Sequence, residues 1–240
     1  GAVINPNFAL AQIILSLKDA KGRILIPGFY DDVVPLTTQE KIEMSKLPFN
    51  EEKFCKDFGV PTLFGEQGYK TLERIWARPT LEVNGMSGGF IGEGSKTVIP
   101  ACAMAKISMR LVPNQDPKHV AKLFENYLQK ITPPSVKLKM KYLNGGKPWV
   151  TPIHHPTIQA AFRAFKKGYG TTPVFIREGG SIPVVAILAE ILDIPTALMG
   201  IGLPDSNTHA PNEKLDLANF KHGTISIAHF FDEFSTSIPN

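Results

Sequence analysis

Between Ala103 and Tyr142 the hydrophobic period switches from strand to helix and back, and few folds accommodate that order. Ala103, Ala105, Ile107, Met109 and Leu111 alternate with Lys106, Ser108 and Arg110, as in a strand that buries one face and points Arg110 from the other. Asp116-Pro117 then marks a helix start, and Val120, Leu123, Phe124, Tyr127, Leu128 and Ile131 follow at helical spacing. Val136, Leu138, Met140 and Tyr142 next alternate with Lys137, Lys139 and Lys141, which predicts a second half-buried strand whose outward lysines resist stray edge pairing.

The flanking segments extend this reading. Asn5-Pro6 pairs an N-cap residue with Pro at the first helical position, and Phe8, Ile13, Leu15 and Leu17 continue a helix to about Lys18. Asp19–Gly22 turns the chain into the short apolar run Ile24–Ile26. Residues 27–78 carry more charge and turn signals, with weak helical periodicity at Thr38–Lys46, Glu51–Phe58 and Glu66–Trp76. They read as a helical excursion that covers a site or meets another subunit. Leu81 and Val83 then alternate with Glu82 and Asn84 as a further strand.

Asn144-Gly-Gly146 is the expected domain boundary. Beyond it come a helix near Thr157–Lys167, an extended run at Pro173–Ile176, a helix near Ile182–Leu192, a strand at Thr196–Gly200 and a last helix from about Leu215 to Phe234. That alternation predicts an α/β layer in the second domain, so residues 1–146 and 147–240 form the two expected domains of a mixed α/β protein.

Composition excludes several functions. A 240-residue chain with 43% hydrophobic and 20% charged residues has the make-up of a soluble globular protein. The net charge of +4 is spread along the chain, Lys166-Lys167 is its only basic doublet, and nucleic-acid binding is not expected. Cys55 and Cys102 read as buried free thiols of a reducing compartment. With neither an apolar run of transmembrane length nor a signal peptide, no membrane contact is expected and a cytoplasmic location is the default.

Two near-motifs resolve into turns. Gly85–Gly89 spells GxSxG, but a nucleophile elbow needs a helix after the serine, and Phe90–Lys96 stays glycine-rich before a strand. Gly89–Thr97 approaches a phosphate-binding loop, yet its Lys96 stands one residue late and Thr97 is expected to open a strand rather than a helix.

Chemistry concentrates near the C-terminus. Gly200–Leu215, GIGLPDSNTHAPNEKL, is a turn-rich surface segment with one imidazole, His209, which could ligate a metal or simply be solvated. No second ligand stands at a metal-binding offset. Arg177–Ser181, REGGS, could be a strand end followed by a serine N-cap, or a place where Gly179 and Gly180 let backbone approach a ligand beside Ser181. Arg177 and Glu178 fit either a pocket or a supporting ion pair. Thr97 on spacing alone is a β-former, and Arg110 is either a solvated guanidinium or an anion ligand. His119, His154, His155, His222 and His229 read as surface or internally satisfied imidazoles.

Six segments in register add a resemblance. REGGSIP at Arg177–Pro183 and GLPDSNTHAPNEKL at Gly202–Leu215 resemble the C-terminal signature of the di-zinc metallopeptidases that include carnosinase, cytosolic dipeptidases, aminoacylase and carboxypeptidase G. GSKTVIP at Gly94–Pro100 and SMRLVPNQ at Ser108–Gln115 resemble that family's lid domain, while GAVINP at the start and IPGFYDDV at Ile26–Val33 resemble the carnosinase-like branch. The resemblance implies a ferredoxin-like α+β lid followed by part of a three-layer α/β zinc-peptidase domain. It implies substrate contacts from Thr97, Arg110, Arg177, Gly179, Gly180 and Ser181, with the Arg110 fork taking the free carboxylate of a dipeptide or N-acyl amino acid. It makes His209 a zinc ligand and implies two zinc ions per subunit, with manganese as an alternative, in a homodimer joined through the lids.

The same resemblance places Gly1 inside the lid, after its first strand. The remaining zinc ligands, the general-base glutamate and a lid histidine would all precede it, so the expectation is a C-terminal fragment that neither holds a di-zinc centre nor hydrolyses peptides by itself. The alternative is a non-catalytic dimerisation or carboxylate-binding module. A serine amidase using Ser87 or Ser181 is a third reading, from a different chemical class.

Overall fold

The computed structural model describes residues 1–178 and 182–236 and divides into two compact units. The first comprises residues 1–41, 48–149 and 177–183, and the second residues 42–47, 150–176 and 184–240.

In the first unit, helix α1 (Pro6–Leu15) begins at Asn5, whose side chain accepts the Asn7 N–H, and it stops short of Lys18. Strands β1 (Thr80–Gly88) and β2 (Ala103–Arg110) form an antiparallel hairpin with Thr80 opposite Arg110 and a bulge between Val83 and Gly85. Helix α5 (Pro117–Ile131) starts where Asp116 accepts the His119 N–H at 2.8 Å and buries Val120, Phe124 and Leu128. These join Ile13, Leu17, Ile24, Ile26, Phe29 and Leu81 in one core, with Ile107 and Met109 of β2 and Met140 packed against it. The burial of β2 alternates as its sequence does, and Arg110 is exposed.

Gln115 ties this core together. It is 2% exposed; its Nε2 donates to the Phe29 carbonyl at 2.7 Å and its Oε1 accepts the Val112 N–H at 3.0 Å.

The expected helical excursion contains α2 (Thr38–Ser45), α3 (Glu51–Phe58) and α4 (Thr71–Trp76). Arg78 returns it to β1. Its guanidinium meets Glu66 through Nε and Nη2 at 2.8 Å each and lies over the rings of Tyr30 and Tyr69. Two donors on one carboxylate fix orientation as well as distance.

Val136–Tyr142 is not a paired strand. Met140 turns to the core and Lys137, Lys139 and Lys141 are exposed, but so are Leu138 and Tyr142, and the segment joins no ladder among the described residues. Alternation records which face is buried; pairing also needs a neighbour's N–H and C=O groups at about 4.8 Å. Among the described residues the sheet has two strands.

In the second unit, α6 (Pro156–Tyr169) packs on α8 (Leu217–Ser235) through small residues. Ala160 and Ala164 are fully buried, as is Ser226. A Cβ at Gly168 would fall 2.1 Å from Ser226 Oγ, so glycine is what allows the helices to approach so closely. His222 is satisfied as expected, its Nδ1 lying 2.8 Å from the Gly168 carbonyl oxygen. His155, read as a surface residue, also caps α6 by accepting the Thr157 N–H at 3.2 Å. Helix α7 (Pro183–Leu192) is apolar apart from the exposed Glu190; it buries Ala186 and Ala189 and exposes Val184, Ile187, Leu188, Ile191 and Leu192.

Neither Pro173–Ile176 nor Thr196–Gly200 forms a strand, and both are extended without a ladder partner. One lateral bond holds the second of them, from Thr151 Oγ1 to the Thr196 carbonyl at 2.7 Å. No helix among the described residues is long and apolar enough to cross a membrane.

Candidate functional site

The residues singled out in the sequence occupy three settings. Thr97 lies exposed in the connection between β1 and β2, and it does not open a strand. The Val98 N–H donates to Lys96 O at 3.0 Å in a tight turn, and Pro100 has no N–H for a ladder, so β2 begins only at Ala103. The cysteine expected to be buried beside it, Cys102, is exposed at the foot of that loop, and Cys55 is half-buried on α3. Both are free thiols.

Arg110 ends β2 on the outward face of the hairpin. It forms no ion pair with a described residue, which leaves its whole donor fork to water or an anion.

Arg177 is engaged. Its Nε lies 2.7 Å and its Nη2 2.6 Å from Glu40 Oε1, and both side chains are mostly buried. The remaining nitrogen, Nη1, is buried without an acceptor. Burial acts to raise the Glu40 carboxyl pKa, but the Thr37 N–H and hydroxyl, together with Arg177, outweigh it and hold the group below its ordinary value. Of the two roles the sequence leaves open for Arg177, this geometry is that of a supporting ion pair. Gly179, Gly180 and Ser181 lie outside the described residues.

His209 belongs to the second unit, in a loop organised by a different residue. Ser206 is buried; its Oγ accepts the Leu203 N–H at 2.9 Å and its carbonyl accepts the Lys214 N–H at 2.9 Å. Asn207, His209 and Asn212 all take the left-handed backbone conformation, with φ of 54°, 64° and 62°. Asparagine and histidine visit that region more readily than branched residues, and the imidazole is left exposed on a tight turn. Ser206 was missed in the sequence because a serine inside a turn-rich segment carries no sign of burial.

Among the described residues no hydrogen bond or ion pair joins Thr97, Arg110 and Arg177 to one another. Nor do three histidine, cysteine or carboxylate side chains gather where they could hold a metal ion. A zinc site needs three or four such donors. His209 offers one, so the described residues do not make up a two-zinc centre.

Comparison with known proteins covers the chain from end to end. Cys-Gly metallodipeptidase DUG1 of Saccharomyces cerevisiae is 34% identical over all of this chain and 50% of its own length. Human Beta-Ala-His dipeptidase is 32% identical over 98% of this chain and 47% of its own. The solved structure of the yeast dipeptidase Dug1p superposes with a TM-score of 0.84 at 33% identity, covering all of this chain and 50% of that one. A metallo-carboxypeptidase of the M20 family from Sulfolobus solfataricus gives 0.81 at 33% identity, over 98% of this chain and 53% of that one. The chain thus spans about half the length of the curated relatives it matches. Residues 1–136 match the M20 peptidase dimerisation domain, and the chain belongs to that family.

Proposed function

We propose that the chain is the lid and the C-terminal part of the catalytic domain of a zinc-dependent dipeptidase or aminoacylase-like metallopeptidase. Residues 1–146 are the lid, through which a homodimer forms, and residues 147–240 contribute to the catalytic domain. The observation that carries this reading is the end-to-end likeness to a metallodipeptidase, at 34% identity in sequence and a TM-score of 0.84 in structure, over half the relative's length.

His209 contributes one neutral imidazole to a centre whose other ligands this chain does not supply. Arg110 takes the free carboxylate of the substrate, Thr97 and the Arg177–Ser181 segment line the same pocket, and Glu40 holds Arg177 in place. When bound, the metal would activate a water and polarise the scissile carbonyl. The substrates are short peptides or N-acyl amino acids with a free carboxylate, in keeping with relatives named for Cys-Gly and Beta-Ala-His. Helix α7 fits the reading, since a helix this apolar is made to be covered and five of its large side chains are not.

The test has two arms. The 240-residue chain should contain no stoichiometric zinc by plasma mass spectrometry and should not hydrolyse cysteinylglycine or β-alanylhistidine. A polypeptide in which this chain follows the other half of the relatives' length should do both, and His209→Ala in it should lower zinc content and turnover together. If His209→Ala leaves zinc content at the parent level, His209 is not a ligand and the assignment fails.

A further inference from the structure

The excursion that carries Arg78 back to β1 also encloses a cleft of about 600 Å³ between α3 and α4, lined by Glu51, Glu52, Cys55, Thr71 and Arg74 with the 61–63 loop. That volume lies within the range of small-molecule sites. The cleft belongs wholly to the first unit, and none of its residues is among the candidates for the peptidase site.

Its lining carries both signs of charge. Glu51 and Glu52 stand in the first turn of α3 and Cys55 follows one turn later. Glu51 is oriented by the buried Thr71 hydroxyl, which donates to its Oε1, and Glu52 enters no ion pair among the described residues. The nearest cation in sequence, Lys53, is directed to Asp57 at 2.6 Å.

Arg74 of α4 lines the same cleft and also has no carboxylate partner among the described residues. Its stem is seated against Gly65, where a Cβ would come within 2.7 Å of Arg74 Cδ. Its Nε is buried without an acceptor, and its terminal nitrogens form no hydrogen bond to the described residues. A guanidinium positioned this way, with no protein counter-charge, favours an anion that presents two oxygens in a plane. The carboxylates that share the cleft favour a cationic nitrogen.

We propose that this cleft is a second binding site, separate from the peptidase site, for a small zwitterion such as a free amino acid. The ligand's carboxylate sits on the terminal nitrogens of Arg74 and its ammonium between Glu51 and Glu52. The proposal does not depend on the activity proposed above, because it uses none of the residues assigned there.

Glycine is the probe, with acetate and methylammonium as its two halves, titrated into the 240-residue chain while amide resonances are followed by NMR. Glycine should give saturable shifts confined to residues 51–55 and 71–74, with each half binding at least about tenfold more weakly. Arg74→Gln and Glu52→Gln should each weaken glycine by about tenfold or more. Their amide spectra report whether the fold is kept, and Arg74→Lys, which retains the charge without the fork, should fall between. Should Arg74→Gln fail to fold, Glu52→Gln on the exposed turn of α3 decides alone. Shifts that stay linear in glycine concentration, that methylammonium and acetate reproduce equally, or that survive Glu52→Gln unchanged would overturn the proposal.

Discussion

Replacing Gln115 by leucine tests the account of the first unit most directly. The side chain is almost entirely enclosed, and its amide serves two main-chain groups, the Phe29 carbonyl at 2.7 Å and the Val112 N–H at 3.0 Å. Leucine has a similar volume but neither donor nor acceptor, so both groups are left buried and unpaired. Each orphan costs about 1–3 kcal/mol, and with some return from burying methyl groups the expected loss is about 2–5 kcal/mol. Against a total of about 5–15 kcal/mol that is a large fraction. The assay is urea unfolding followed by tryptophan fluorescence, because the chain's two tryptophans, Trp76 and Trp149, both lie in the first unit and report on it selectively. With a slope of about 2 kcal/mol per molar urea, the midpoint should fall by about 1–2.5 M. Gln115→Glu separates the two bonds. A protonated carboxyl can still donate to Phe29 O and accept from Val112 N–H, whereas a carboxylate faces the carbonyl oxygen with no proton between them. Its folded pKa should therefore rise above the ordinary value of about 4.3, and the deficit should be small below that pH and grow as pH rises through the folded pKa. A loss under about 1 kcal/mol for the leucine variant, or a glutamate variant whose deficit does not grow with pH, would refute the reasoning.

Two further changes probe other parts of the structure. Gly168→Ala places a methyl group 2.1 Å from Ser226 Oγ, 2.9 Å from its N and 3.0 Å from His222 O, so α6 and α8 must part; a loss of about 1–3 kcal/mol and faster amide exchange in both helices are expected, with only partial rescue by Ser226→Ala because the main-chain atoms remain. Arg177→Gln removes one of the groups that hold the Glu40 carboxyl down against burial, so the Glu40 pKa should rise in an NMR titration. Because the folded pKa is the lower one, the stability it contributes is present above the unfolded carboxyl pKa and is lost as pH falls through the folded value, and the variant should weaken this acid-side dependence, with the Thr37 bonds retaining the rest.

What the sequence made legible was mostly local. Asn5-Pro6 and Asp116-Pro117 start helices because their side chains accept N–H groups two or three residues on, and such offsets are visible in the order of residues. The periodicity read at Glu51–Phe58 coincides with α3, which the structure caps with Asn50 and Gly59. What stayed hidden depended on partners distant in the chain. Glu40 and Arg177 are 137 residues apart, and no periodicity pairs them. The stacking of Arg78 with Glu66, Tyr30 and Tyr69 was hidden for the same reason. Val136–Tyr142 shows the limit from the opposite side: Met140 reaches the core as its alternation predicts, but Leu138 and Tyr142 are exposed, and ladder pairing is a property of two segments. Likewise, Thr97 has the composition of a strand start and sits in a loop because Pro100 follows it.

The same contrast bears on which arginine is free to take a substrate's carboxylate. A guanidinium that already holds a carboxylate must give up that pair before it can receive another, and breaking a mostly buried pair costs several kcal/mol, about 3–5 when one charge is left unpaired. Arg177 is in that position, with Glu40 seated on two of its nitrogens. Arg110 is not: exposed at the end of β2, it has only water to displace. In the proposed function the two therefore divide the work unequally. Arg177 acts as a strut whose replacement should disturb Glu40 and the segment around it, and Arg110 as the ligand whose replacement by lysine should weaken carboxylate binding while leaving the Glu40 titration untouched. If Arg110→Lys shifts the Glu40 titration as Arg177→Gln does, the two arginines are coupled and this division of roles is wrong.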